Sequence, residues 1–208
     1  MKRLTREASR RVTRQRLLES AKVIFARDGF AGASVDRIAE HAGYSKGAVY
    51  SNFESKEALF LELLRERMSE EIREIEQLLE ERSSLAEILA TLRHRYSSLE
   101  KQVIWCLLST EFQLQAGRNP DFAEPFAALY RDQRQAIVRL VTQAASRVGA
   151  RLEFNAQELA ISLMALTHGI ALQRAADPAS VPAETAGKAI QLLLSACLAP
   201  QPKASPAS

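Results

Sequence analysis

The sequence is short of the residues that build metal centres, catalytic constellations and disulfide frameworks. Its two cysteines, Cys106 and Cys197, stand far apart in apolar segments, where packing in a reduced core is expected and a redox-sensing thiol is the alternative. The three histidines, His41, His94 and His168, are scattered, with no HExxH, no paired CxxC and no glycine-rich phosphate loop. The expectation is therefore no metal, no cofactor and no enzyme. No proline occurs before Pro120, and glycine is limited to eight residues, so little interrupts a sequence rich in leucine, alanine, glutamate and arginine. That composition favours an all-α fold. Apolar runs are broken by Gln, His or Lys and the N-terminus is charged, so neither a membrane span nor a signal peptide is expected, and the cytoplasm is the expected location.

Charge is present but unevenly placed. Up to Phe53 there are eleven lysines and arginines against five acids, a balance of +6, which leaves −3 for the rest of the 208-residue chain. A basic end beside a mildly acidic remainder suits a duplex binder with a separate second function, although a solvated basic tail gives the same count.

The most informative stretch is SVDRIAEHAGYSKGAVYSNF, Ser34 to Phe53. Ser34 is a good N-cap, and Val35, Ile38, Ala39 and Ala42 repeat on one helical face. Gly43 ends that helix and Ser45 caps a second, running to Phe53, with Val49 and Phe53 on its buried side. Two helices joined by so short a turn cross steeply, as in a helix-turn-helix. The exposed side of the second carries Lys46, Gly47, Ala48, Tyr50, Ser51 and Asn52. Small residues there admit a close neighbour, and the rest offer hydrogen bonds, a surface suited to the major groove. Ser55-Lys56 repeats the pair Ser45-Lys46, a cap followed by a cation where a phosphate at a helix start would be welcome. Ser34, Ser45, Lys46, Gly47, Ala48, Tyr50, Ser51, Asn52 and Lys56 are the candidate DNA-binding residues.

Around this motif, residues 1 to 11 read as a disordered basic arm, and a brace helix runs from about Val12 to Asp28, stopped by Gly29. A long helix follows Ser55 to about Arg82. Further helices are expected over 84–97, 103–115, 122–148, 155–176 and from Pro182 to 198, with a disordered tail at 199–208. The last two are apolar around most of their girth, which suits a four-helix interface with an identical subunit over about 156–198, or a monomeric core. Tyr96, Trp105, Phe112, Phe126, Tyr130, Met164 and His168 are candidates to line an effector pocket, the alternative being ordinary core.

The run from Ala21 to Phe60, with FARDGF, SVDRIAEHAGYSKGAVYSNF and SKEALF in this order, closely resembles the N-terminal DNA-binding domain of TetR-family transcriptional regulators. The resemblance covers about the first third of the chain. It departs at Ala48, often threonine in that family, and at Asn52, often histidine. It implies phosphate contacts by Tyr50 and Lys56, a homodimer through the last two helices, and a small effector in the C-terminal part. The resulting expectation is an all-α protein of about nine helices. Residues 11–56 form the helix-turn-helix domain and 57–198 the effector-binding and dimerisation domain. The function read from it is a sequence-specific regulator, a repressor released from a pseudo-palindromic operator by a hydrophobic small molecule. The rival from another class is a helical carrier or enzyme with an incidental basic N-terminus.

Overall fold

The computed structural model describes residues 5–82, 84–97 and 100–200. Among them are nine α-helices and one short pair of strands: α1 (Arg6–Gly32), α2 (Val35–Ala42), α3 (Lys46–Tyr50), α4 (Lys56–Glu80), α5 (Leu85–Arg95), α6 (Glu100–Ala116), α7 (Pro120–Arg147), β1 (Ala150–Leu152), α8 (Ala156–Ala176), α9 (Thr185–Cys197) and β2 (Leu198–Pro200). The all-α expectation holds. Local signals explain most boundaries: Ser34, Ser45, Ser84 and Asn155 each cap the helix that follows with a side-chain oxygen.

Four boundaries differ from the sequence reading. Residues 6–11, expected as a disordered arm, are helical, because the Thr5 hydroxyl accepts from the Ala8 amide at 3.2 Å and starts α1 early; residues 1–4 lie outside the described residues. The second helix of the helix-turn-helix stops at Tyr50 rather than Phe53, with Ser51 and Asn52 in a turn. Helix α7 starts at Pro120, two residues earlier than expected, because the Asn119 Oδ1 accepts from the Asp121 amide at 3.1 Å and caps it. Finally, Ala199 and Pro200, expected in a disordered tail, pair antiparallel with Arg151 and Ala150. Periodicity gives no warning of a three-residue strand. The rest of that tail, 201–208, lies outside the described residues.

Two compact units form. One comprises the chain up to Met68 with Leu107–Leu129, the other Ser69–Cys106 with everything from Tyr130. Contacts thus gather differently from the 11–56 and 57–198 division, because Leu59, Phe60, Leu63 and Leu64 at the start of α4 and Phe112 of α6 are buried in the first unit. Its core combines Leu17, Ala21, Ile24 and Phe25 of α1 with Ile38, Ala39, Val49 and Phe53. Phe25, Phe30, Phe60 and Phe112 form a continuous set of rings, with centroids 4.9–5.8 Å apart in the pairs that touch.

In the second unit, Ile75 and Leu79 of α4, Ile88, Leu89 and Leu92 of α5, Leu140 and Ala145 of α7, Leu159 of α8 and Ile190, Leu194 and Cys197 of α9 share one core. Helix α9 comes so close to α5 that a Cβ at Gly187 would run into the Arg93 carbonyl oxygen and stand 3.0 Å from Ser97 Oγ. Gly187→Ala should therefore destabilise the protein by about 1–3 kcal/mol through overpacking. Urea denaturation checks this, and an unchanged midpoint would contradict the close approach.

Candidate nucleic-acid interface

The α2–α3 crossing is fixed by backbone chemistry. Gly43 adopts φ 73° and ψ 30°, a left-handed conformation that ends α2. Its amide donates to Glu40 O at 3.0 Å and the Tyr44 amide to Ala39 O at 2.9 Å, which is the Schellman pattern. One residue later Ser45 Oγ accepts from the Ala48 amide at 3.2 Å and α3 begins. Val49 and Phe53 hold the inner side of this segment, with 1% and 4% of their surface exposed.

Its outer side presents Ser45, Lys46, Gly47, Tyr50 and Ser51, all exposed, with Ala48 half-buried. Tyr50 keeps 51% of its surface exposed, unusual for a tyrosine with an apolar body. A Cβ at Gly47 would meet nothing of this protein closer than Ser45 Oγ at 3.8 Å, so the absence of a side chain is not demanded by the fold. Lys46 Nζ stands 2.9 Å from Asp36 Oδ2 of α2, and this hydrogen bond, then the carboxylate's charge, raises the pKa of the ammonium above its ordinary value. Both groups are exposed, so the pair is worth little to stability and can exchange for a stronger anion. Ser34 remains half-buried at the start of α2, its oxygen 3.3 Å from the Arg37 amide.

Asn52 and Lys56 behave differently. The Asn52 amide nitrogen turns back onto Ala48 O at 2.8 Å, while its Oδ1 is buried without a partner. Lys56 Nζ donates to Phe30 O at 2.9 Å and Ala33 O at 3.0 Å and lies 4.5 Å from the Phe30 ring centroid. The cation that the sequence pairs with a phosphate is thus engaged inside the protein, closing carbonyls at the end of α1.

Several supporting residues escaped the sequence reading. Arg10 Nη2 donates to Ser51 O at 3.1 Å, and Arg14 donates to Asn52 O, pairs with Glu62 and lies 4.2 Å over the Phe53 ring. Their i, i+4 spacing on α1 was the one available signal. On α6, Glu111 Oε2 accepts from the Phe30 amide at 2.7 Å. Ser20 Oγ donates to Ile38 O at 2.8 Å, so His41 Nδ1, 2.9 Å away, is the donor to that hydroxyl. His41 therefore tethers α2 to α1 from its exposed position.

The effector candidates fall into different surroundings. Phe112 and Phe126 belong to the first unit, with centroids 5.4 Å apart, and Phe112 is fully buried among Phe30 and Phe60 as core. In the second unit Tyr130 and His168 meet at 3.4 Å, and His168 Nδ1 lies 3.0 Å from Met164 O. Tyr96 donates to Glu71 Oε1 at 3.2 Å, and Trp105 is half-buried.

With this geometry in place, two family models match. Residues 17–63 fit the model for bacterial regulatory proteins of the tetR family, and residues 100–199 fit the C-terminal domain of BetI-type transcriptional repressors. The chain belongs to the TetR family of transcriptional regulators. Over 65 residues, 30% of this chain and 35% of the relative, it is 46% identical to the HTH-type transcriptional repressor AcnR of Corynebacterium efficiens. The match thus spans about a third of that relative's length. A longer match, 27% identical over 170 residues, covers 79% of this chain and 84% of the HTH-type nicotine-responsive transcriptional repressor HdnoR of Paenarthrobacter nicotinovorans. In fold, it is similar to a transcriptional regulator from Saccharomonospora viridis solved in complex with choline, with a TM-score of 0.70, 20% identity and coverage of 89% of this chain and 96% of the other. TetR-family proteins are regulators, not enzymes.

Within this family member, Lys56→Met keeps the aliphatic stem but leaves the Phe30 and Ala33 carbonyls unpaired. The DNA-free protein should lose about 1–3 kcal/mol of stability, read by thermal or urea unfolding. Unchanged stability with weaker duplex binding would return Lys56 to the phosphate-contacting role.

Proposed function

We propose that the protein is a homodimeric, cytoplasmic repressor that binds a pseudo-palindromic operator and leaves it when a small molecule occupies the C-terminal part. The observation that carries the DNA-binding half is the exposed face of α3, where Gly47 is open, Tyr50 projects and Lys46 is held only by an exchangeable surface ion pair. With Ser34, Ser45, Ala48 and Ser51 alongside, this face offers close approach, hydrogen-bond donors and a cation to one major groove and its phosphates. Asn52 and Lys56 support the face from behind. Repression is the role of the relatives matched over the helix-turn-helix and over most of the chain.

Two copies are needed to read two half-sites. Helix α8 supports the pairing: by length and composition it could cross a bilayer, contrary to the sequence expectation of no such segment, yet only 22% of its most apolar window is buried. It packs on α9, and Ile161 and Leu192 remain 48% and 73% exposed. A second copy of α8 and α9 covers such a surface without a membrane. The effector half is supported by a relative named nicotine-responsive and a similar fold holding choline.

Operator affinity should fall steeply with salt, and Lys46→Ala should weaken all duplexes and lower the log–log salt slope by about one unit, measured by fluorescence anisotropy. An unchanged slope would remove Lys46 from the interface. The double variant Ile161→Arg, Leu192→Arg, chosen because neither side chain belongs to the core, should yield folded monomers that lose the full operator. Sedimentation showing a dimer, or a monomer that still binds the full site tightly, would overturn the pairing.

A further inference from the structure

One turn of α7 carries polar atoms that no described residue satisfies. Arg134 Nε and Gln133 Oε1 are both shut off from solvent and have no hydrogen-bond partner among the described residues. Nor does any carboxylate of the described residues pair with the Arg134 guanidinium. Interiors seldom leave a charged N–H and a neighbouring carbonyl oxygen unpaired, because each has lost its water and gained nothing in return. Their needs are opposite and complementary. Arg134 requires an acceptor, best an anionic one, and Gln133 Oε1 requires a donor.

Three and four positions earlier on the same helix stands Tyr130, so the three side chains share one face. The Tyr130 hydroxyl is 3.4 Å from His168 Nε2 of α8, long for an O–H···N bond. Met164 O, 3.0 Å from His168 Nδ1, can only accept, so Nδ1 carries a proton and Nε2 is the nitrogen that faces Tyr130. Arg134, Gln133, Tyr130 and His168 thus bring a cation, acceptors and a hydroxyl to adjoining positions on α7 and α8, with half-buried Met164 beside them as an apolar neighbour.

We propose that these four side chains are the polar end of the effector site, and that the effector is a carboxylate bearing a hydrogen-bond donor next to its carboxyl group; this deepens, and rests on, the ligand-responsive reading above. The carboxylate lies along the Nε edge of Arg134, the donor meets Gln133 Oε1, and Tyr130 and His168 close the remaining side. A guanidinium without a counter-charge repels a quaternary ammonium, which also has no donor for Gln133. The ligand class therefore differs from the choline held by the similar fold.

Mandelate, an aromatic carboxylate with an adjacent hydroxyl, is the probe, and mandelamide is its uncharged counterpart. By calorimetry on the full chain, mandelate should bind saturably and at least roughly tenfold more tightly than mandelamide, while choline does not bind; Arg134→Gln should erase the preference for the acid. Equal affinities, no mandelate binding, or a preference that survives Arg134→Gln would overturn the proposal. A second variant keeps the test sharp if Arg134→Gln folds poorly: Arg134→Met removes an unpaired charge and should melt no lower than the wild type in the absence of ligand. A clearly lower melting temperature would make Arg134 an ordinary structural residue and overturn the site. The regulatory reading is separable, since mandelate that binds through Arg134 without weakening operator binding would leave the carboxylate site standing and remove ligand-driven release.

Discussion

The first unit is organised around the peptide groups of Phe30. Gly29 turns the chain at φ 72°, a conformation unfavourable for other residues, and a Cβ there would stand 3.0 Å from Glu111 Oε2. The same glutamate accepts from the Phe30 amide, while Lys56 takes the Phe30 and Ala33 carbonyls, so an acid from α6 and a cation from α4 hold the two polar sides of one turn. Backbone groups at a helix end need partners when buried, and here they find charged ones, which make the stronger hydrogen bonds. The Phe30 ring, meanwhile, stacks on Phe25 and meets Phe60 and Phe112 edge to face. Polar and apolar halves of one residue thereby fix how the chain leaves α1 and enters α2.

The recognition segment is secured at its other end by a second set of charges. A helix of five residues has no stability of its own, because nucleation costs more than so few hydrogen bonds return. Arg10 and Arg14 supply what is missing by donating to Ser51 O and Asn52 O, just past the end of α3, and Arg14 is anchored by Glu62. Ser45 closes the start. The exposed face of α3 is thus held in place because its two ends are tied to α1, α2 and α4, and not because α3 is a strong helix.

What could be read in the sequence follows from this division between local and distant causes. Caps at Ser34, Ser45 and Asn155, the glycine turns at Gly29 and Gly43 and the apolar stripes act over a few residues, and each was legible. The exposed α3 face was legible for the same reason, since Val49 and Phe53 fix which side is buried. The carbonyl contacts of Lys56 were not legible because its partners precede it by more than twenty residues, and a helix-start lysine looks the same whether it meets a phosphate or a carbonyl. Glu111 and the β1–β2 pair are still more distant in sequence. Phe112 shows the limit for aromatic residues: helical spacing places it on a buried side but cannot say whether that side is a core or a cavity.

The polar atoms left without partners complete the physical picture. Among the described residues, the buried side-chain atoms lacking any hydrogen bond are Asn52 Oδ1, Gln133 Oε1 and Arg134 Nε. Asn52 lies at the end of the recognition helix, and the other two share a turn of α7 with Tyr130, which reaches the histidine of α8. Elsewhere among the described residues the buried polar side chains are engaged, as Ser20 is with Ile38 O and His41. A fold selected only for stability would have replaced these groups with apolar ones or given them partners, since each unsatisfied group weakens a marginally stable protein. Their placement fits a protein whose most stable state includes something more than its own chain. At Asn52 the unpartnered group is a neutral amide oxygen, for which a new hydrogen bond recovers less than one to a charged group. At Arg134 one N–H of a cation is shut off from solvent without a partner, and it is there that a bound anion would recover the most free energy.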